Sequence, residues 1–310
     1  MRFSVGLPGV TRYPPILQEW EPSMGPGDFQ AFAHTVDDLG YDSITIPEHI
    51  VMPDEMAGLM GAFWTHAFTA MAFVAGATSR ITVDSSVIVV PYHQPVVFAK
   101  AVSTLDLLSG GRVRLSIGIG HAEKEFDAVG TPFHERGKVA DEYLAAMVEL
   151  WTADKPEFHG RYVDFEGVAF EPKPVQTPHP PIWVGGNSKA AMRRAARHDG
   201  WYPWLITVDR LPECLDYIRS QPAFDSRDRP FDVAMPVSLL QVDEEHRPVE
   251  AGASGRPDTP SGKQAIVDAL GRLREAGATW TSVPTPPSRS LVEHLEQLQW
   301  VAEEIIPQFR

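Results

Sequence analysis

Four short segments place chemistry-bearing residues at the ends of apolar runs. Glu48-His49 follows Ser43-Ile44-Thr45-Ile46, and Asp84-Ser85-Ser86-Val87 leads into Ile88-Val89-Val90. Gly118-Ile119-Gly120-His121 follows Val113 to Ile117, and Gly185-Gly186-Asn187-Ser188 follows Pro181 to Val184. An imidazole beside a carboxylate can take or give a proton near neutral pH. The same histidine can equally be satisfied by a backbone carbonyl. The hydroxyls of Ser85 and Ser86 can bond the polar edge of a ring whose face packs on the backbone at Val87, or can simply begin a strand. Gly118 and Gly120 allow close backbone approach to a ligand, or a tight turn. Gly185 to Ser188 lie between a strand and a helix, where several backbone N–H groups can meet a phosphate at the positive helix end. A turn closed by an Asn or Ser N-cap has the same composition.

Other chemistries find less support. His49, His66, His93, His121 and His134 are scattered and lack a His-x-x-x-His spacing with a carboxylate, so no metal is expected. No Gly-x-Ser-x-Gly elbow is present, and the lone Cys214 has no clear partner, so nucleophilic hydrolysis is unsupported.

The elements that must hold these residues alternate. Phe3 to Leu7 reads as a strand and Pro8 to Pro26 as a loop, and Asp28 is an N-cap candidate for a helix carrying Phe29, Phe32, Val36 and Leu39. Tyr41 to Ile46 is the second strand, and Ile50 to Trp64 a Met- and Gly-rich loop. A helix from Ala67 to Ala77 leads to a strand over Ile81 to Val90. Next comes a helix from Pro95 with Val97, Ala101, Leu105 and Leu108 at helical spacing, stopped by Ser109-Gly110-Gly111. Glu123 to Pro180 reads as an insertion: a long helix over His134 to Trp151, a hairpin over Phe158 to Phe170 with turns at Gly160 and Gly167, then a proline-rich run. Strand and helix then resume through Gly200 to Trp204, Leu211 to Ser220 and Phe231 to Val242. Asp243 to Gly262 reads as a mobile polar stretch. A helix over Gln264 to Ala276, a strand over Thr279 to Val283 and a helix over Leu291 to Ile306 close the chain. This rhythm predicts an α/β fold, a (β/α)8 TIM barrel with an insertion after strand 4, whose site lies at the C-terminal strand ends. An open doubly wound sheet is the alternative, without its usual dinucleotide fingerprint. Trp20, Met52, Met60, Phe63 and Trp64 sit in loops after the early strands, as candidates for a substrate pocket or as ordinary loop packing.

The 310 residues are 43% hydrophobic and carry a net charge of −14 without basic clusters, which speaks against nucleic acid as a partner. The single cysteine fits a reducing cytosol, so a cytoplasmic location is expected. The N-terminal MRFSVGLPGV enters a strand directly, so no signal peptide is inferred. No apolar run reaches the roughly 20 residues of a membrane span, and no membrane partner is expected.

Four stretches carry a resemblance: LGYDSITIPEH at 39–49, VDSSVIVVPYHQPVVFAKAVSTLDLLSGGRVRLSIGIGHAEKEF at 83–126, FHERGKVADEYLAAMVELW at 133–151 and PPIWVGGNSKAAMRRAARHDGWYP at 180–203. Over nearly its whole length the chain resembles the bacterial luciferase-like flavin and deazaflavin oxidoreductases, particularly the coenzyme F420-dependent branch. The resemblance implies one TIM-barrel domain over 1–310, a homodimer and a small-molecule substrate. It implies that His49 handles a proton beside the reactive ring. It places a non-prolyl cis peptide at Ser86-Val87, backing that ring. Glu48, Ser85, Gly118, Gly120 and His121 then border the cofactor, and Gly185, Gly186, Asn187 and Ser188 form its phosphate turn. Trp20, Met52, Phe63 and Trp64 face the substrate. The sequence departs from relatives at His121, where Trp is frequent, and at Glu48, where several carry Asp. Cationic residues for a sugar-phosphate substrate are not matched. The expected cofactor is F420, transferring a hydride to or from a small organic molecule. The alternative is an FMN-dependent monooxygenase using reduced flavin and O2. A non-catalytic flavin-binding relative is the third possibility; His49, Gly185-Gly186 and the full insertion argue against it.

Overall fold

A computed structural model describes residues 1–204, 206–227, 229–235, 262–283 and 285–310. Its strands are β1 (Arg2–Gly6), β2 (Ser43–Ile46), β3 (Thr82–Ser85), β4 (Ile88–Val89), β5 (Val113–Gly118), β6 (Phe158–His159), β7 (Asp164–Phe165), β8 (Ile182–Gly185), β9 (Gly200–Tyr202), β10 (Asp232–Val233) and β11 (Trp280–Ser282). Its helices are α1 (Pro26–Asp38), α2 (Asp54–Met60), α3 (Ala67–Ala77), α4 (Pro95–Ser109), α5 (Glu123–Val129), α6 (Arg136–Thr152), α7 (Lys189–Ala195), α8 (Leu211–Arg219), α9 (Lys263–Glu275) and α10 (Leu291–Glu304).

The main sheet runs β10-β9-β8-β5-β3-β2-β1-β11, parallel throughout, and β4 also pairs with β5. A parallel bridge from Ala234 to Trp280 joins the two end strands, so the sheet nearly closes into an eight-strand barrel. β5 is buried at every position, as expected of a strand covered on both faces. Register is fixed by pairs such as Ser4↔Ser43 and Ile46↔Ser85.

Inside the barrel, Arg114 of β5 pairs with Asp84 of β3 at 2.7 Å. The Arg114 guanidinium lies 3.6 Å from the ring centroid of Trp183 and 3.9 Å from that of Trp280. Asp84 Oδ1 also accepts from Ser116 Oγ. Burial pushes the Asp84 carboxyl above its ordinary range, against the opposing pull of Arg114. A buried charge pair of this kind costs desolvation and is tolerated because every partner is in place.

Several expectations need correction. Asp28 is not the N-cap of α1. That position is Gly25, and Asp28 sits at the third helical residue, where its Oδ2 accepts the Gly25 N–H at 2.8 Å. The 50–64 loop contains the helix α2. The strand expected over 81–90 breaks at a cis Ser86-Val87 peptide, giving β3 and β4, and ends in a 3-10 turn at Val90–Tyr92. On α4 the buried face is Phe98, Ala99, Val102 and Leu105, whereas Val97 and Leu108 are exposed. α6 packs along α4, so it occupies a barrel-helix position within the stretch read as an insertion. The hairpin β6–β7 turns at Gly160 and is shorter than expected, with Gly167 beyond it. Of the strand expected over 231–242 only β10 and the Ala234 bridge are seen, and 236–261 lies outside the described residues. Among the described residues no helix is long and apolar enough to cross a membrane.

Candidate functional site

β2 ends at Ile46, and Pro47 turns the chain so that Glu48 and His49 diverge. His49 Nδ1 lies 3.0 Å from Oε2 of Glu125, a fully buried residue of α5. Glu125 Oε2 also accepts from Tyr92 Oη at 2.9 Å. Its Oε1 accepts the N–H groups of Ile50 and Val51 at 2.5 and 3.2 Å. Burial alone would raise the Glu125 carboxyl. Hydrogen bonds from His49, Ile50 and Tyr92 outweigh it and hold the group below its ordinary value. Burial, then the charge of Glu125, pushes the Tyr92 phenol up. An ionised carboxylate only accepts, so His49 carries its ring proton on Nδ1. That leaves Nε2 as a lone pair. The arrangement is a positioned base with a fixed tautomer, the oriented-base logic common in proton-transfer sites.

Trp64 packs edge-on against His49 with ring centroids 4.6 Å apart, and His121 does so at 5.7 Å. His121 is an exposed residue at the rim. Desolvation by its surroundings, then the neighbouring His49, holds its imidazole below the ordinary value. Arg136 of α6 donates from Nε to the Gly120 carbonyl at 3.2 Å and pins this loop.

The ends of β5 and β8 meet at an apolar residue, Val87. A Cβ on Gly118 would sit 2.8 Å from Val87 Cγ2, and one on Gly185 would sit 3.2 Å from Val87 Cγ1. Both glycines therefore make room for Val87, whose half-buried side chain spans the ends of β5 and β8. Gly120 has φ +75°, and a Cβ there would meet the Phe126 ring at 2.6 Å and Val89 at 2.9 Å.

After β8, Gly186 adopts φ +105°. Its N–H donates to Tyr202 O at 3.1 Å, and its carbonyl accepts from Trp201 Nε1 at 2.8 Å. Asn187 grips the backbone of Trp204 with both ends of its amide. Ser188 caps α7 by accepting the Ala191 N–H at 3.1 Å. The Asn187 and Ser188 side chains are thus committed within the protein. The Ala191 and Met192 N–H groups are taken up by Ser188, and those of Lys189 and Ala190 precede the first intrahelical bond.

The structure does not treat the other expected residues alike. Ser85 is fully buried and its Oγ donates to Ser116 O at 2.7 Å, inside the barrel wall rather than toward a ligand edge. The Ser86 N–H donates to Ile46 O at 2.8 Å, and its side chain is half-buried. Glu48 is buried and faces away from His49. Its Oε2 accepts the Val89 N–H at 2.8 Å, and both oxygens lie 3.1 Å from His93 Nε2. Met52 follows Val51, whose N–H is tied to Glu125. Phe63 is exposed beneath the Arg12 guanidinium, 4.4 Å from its ring centroid. Trp20 Nε1 donates to Ser288 at 3.0 Å and its ring lies on His294, on the α10 side. The histidines read as scattered are not all so: His66 and His93 converge on Glu48.

Sequence reasoning missed Glu125, Tyr92 and Arg136. Each lies inside a quoted motif, but its partner is distant in sequence. The one available signal was a glutamate on a short helix directly after the glycine loop.

A family model described as Luciferase-like monooxygenase matches residues 1–258. An uncharacterized protein of Mycobacterium tuberculosis (strain ATCC 25618 / H37Rv) is 30% identical over 213 residues, 65% of this chain and 73% of that protein. An FMNH(2)-dependent dimethylsulfone monooxygenase of Pseudomonas putida is 32% identical over 206 residues, 65% of this chain but only 55% of that protein. The solved coenzyme F420-dependent tetrahydromethanopterin reductase of Methanopyrus kandleri superposes with a TM-score of 0.75 at 16% identity, covering 100% of this chain and 99% of that one. At that identity the likeness is one of fold.

Proposed function

We propose, since the chain belongs to the luciferase-like monooxygenase family, that this oxidoreductase uses coenzyme F420 to exchange a hydride with a small organic substrate. The observation that carries this reading is His49, held through Nδ1 by Glu125 with Nε2 unpartnered among the described residues. The surroundings suit a flat ring with a phosphate tail. Val87 offers an apolar support between Gly118 and Gly185, and the Gly186 turn leaves α7 amides for an anion.

When bound, the deazaflavin supplies the two-electron hydride chemistry. His49 Nε2 receives the hydroxyl proton of a substrate being oxidised, or returns it in the reverse direction. Glu125 keeps the imidazole in the tautomer that can do so, and Tyr92 and the Ile50 and Val51 amides keep Glu125 ionised. Trp64 packs against His49 and, with Met52, forms the apolar side of the substrate pocket. Glu48 acts at second hand, by fixing Val89 behind the Val87 turn.

A second reading, an FMN-dependent monooxygenase that uses reduced flavin and O2, is favoured by the 32% identity to the FMNH(2)-dependent relative. A homodimeric, cytoplasmic enzyme acting as one unit over 1–310 belongs to the same proposal, on the resemblance and on the lone Cys214. Titration of the purified protein with F420, FMN and FAD, read by fluorescence quenching, tests it. Tighter binding of F420 than FMN is expected. Micromolar FMN binding with no F420 binding replaces the first reading by the second.

A further inference from the structure

The residue that precedes His49 belongs to a different cluster. Glu48, His66 and His93 are separated in sequence by two helices, two strands and several loops, yet their ligand atoms all lie within 4.8 Å of one another. Glu48 is buried with no exposed side-chain surface, and its ion-pair partner among the described residues is His93, 13% exposed and charged only if protonated. A buried carboxylate is costly without a matching positive charge.

The local geometry approaches that of a coordination shell. Two ligands at about 2.0–2.1 Å from one tetrahedral ion stand about 3.3 Å apart. His93 Nε2 and Glu48 already stand at 3.1 Å. Val89 N–H orients one carboxylate oxygen at 2.8 Å, leaving the other, which among the described residues meets only His93, to turn to an ion. The His93 ring is fixed by stacking on Phe98 at 4.5 Å, and the His66 ring stands edge-on to it at 6.2 Å. His66 Nδ1 accepts the Thr69 N–H at 3.2 Å and lies 2.9 Å from Thr69 Oγ1; for Nε2 to bind a metal the ring proton moves to Nδ1, where Thr69 Oγ1 accepts it. His66 is exposed, so solvent reaches the cluster from its side and the side chain can close the remaining gap.

We propose that Glu48, His66 and His93 form a binding site for one zinc-class divalent cation, lying behind the proton-handling histidine and distinct from it. Two imidazoles and one carboxylate suit Zn2+ and its open-shell neighbours over Mg2+ or Ca2+, and three protein ligands leave a position for water.

The test uses the full chain without an affinity tag, stripped with chelator and dialysed. It is titrated with Co2+ in the visible range and with Zn2+ by calorimetry. One equivalent is expected to bind, with the d–d bands of Co2+ in a low-coordinate N/O site. His66→Asn replaces the Nδ1 that caps α3 with an amide oxygen able to accept the same Thr69 N–H and removes the ligand, and His93→Gln removes the second. Each is expected to weaken binding at least tenfold, while His134→Ala, outside the cluster, binds as the parent does. Zn2+ should also raise the thermal midpoint of the parent chain and not that of His66→Asn. Absence of stoichiometric uptake by the parent chain, or unchanged affinity in either His66→Asn or His93→Gln, overturns the proposal.

Discussion

His49 Nδ1 and Glu125 Oε2 stand 3.0 Å apart across 76 residues of sequence, and every other bond to that carboxylate is also donated to it. Glu125 therefore acts on the ring as a clamp on its tautomer, and under the proposed function His49 is the group that would meet the reactants.

His49→Ala is expected to lower turnover by about 10²–10⁴-fold, with cofactor affinity nearly intact. Glu125→Gln keeps the volume but places a donor opposite Nδ1, so a smaller loss with a displaced pH profile is expected. Steady-state rates against pH, beside cofactor titrations of the same variants, check both. Turnover in His49→Ala equal to that of the parent removes His49 from the proton step.

Val87 and Gly118 should be thermodynamically coupled. Gly118→Ala brings a Cβ to 2.8 Å from Val87 Cγ2, an overpacking worth roughly 1–3 kcal/mol. Adding Val87→Ala should recover much of that loss. A double-mutant cycle in urea gives the interaction energy, and strict additivity would contradict the contact.

Arg114→Met should destabilise the barrel by about 3–5 kcal/mol, because it strands a buried Asp84 carboxylate. Asp84→Asn in the same chain should restore part of that. The urea midpoint reports it, and a double variant no more stable than Arg114→Met counts against the pairing.

Acid should weaken the fold well above the carboxylate range. Burial holds His294 down to about 4, and burial with Arg197 holds His198 down to about 3. In the unfolded chain both imidazoles protonate near pH 6.5. Between about 4 and 6.5 the unfolded state thus binds more protons, so stability rises with pH through that window. Thermal midpoints from pH 7 to 4.5 should fall. His294→Gln, which cannot take up that proton, should flatten the slope.

Much of the barrel was legible because its strands are apolar runs ending in Gly or Pro. Val113–Gly118 with Gly110 behind α4 is the clearest case. Local signals failed where two patterns compete. The Met- and Gly-rich 50–64 segment hides α2, and Gly25 caps α1 without a side chain to advertise it. Helical spacing alone put Val97 and Leu108 on the core side, since a period does not say which face is covered. In the candidate site, the positions of His49 and the glycine turns at strand ends were legible in the sequence. Glu125 and Tyr92 did not, because a buried glutamate and a tyrosine look like surface and core until the chain brings them together 33 residues apart. The convergence of His66 and His93 on Glu48 was equally invisible, for no local spacing encodes it.

Glu48 and His49 are consecutive and serve opposite directions, one toward Val89 and His93, the other toward Glu125 and Trp64. Their assignment rests on how β2 is threaded between β1 and β3, at Ser4↔Ser43 and Ile46↔Ser85. A slip of one residue would exchange the two side chains, presenting an acid where a base now stands. The parallel ladder therefore does more than support the pocket: the same phase that buries Ile44 and Ile46 also decides which of the two polar neighbours lies toward Glu125.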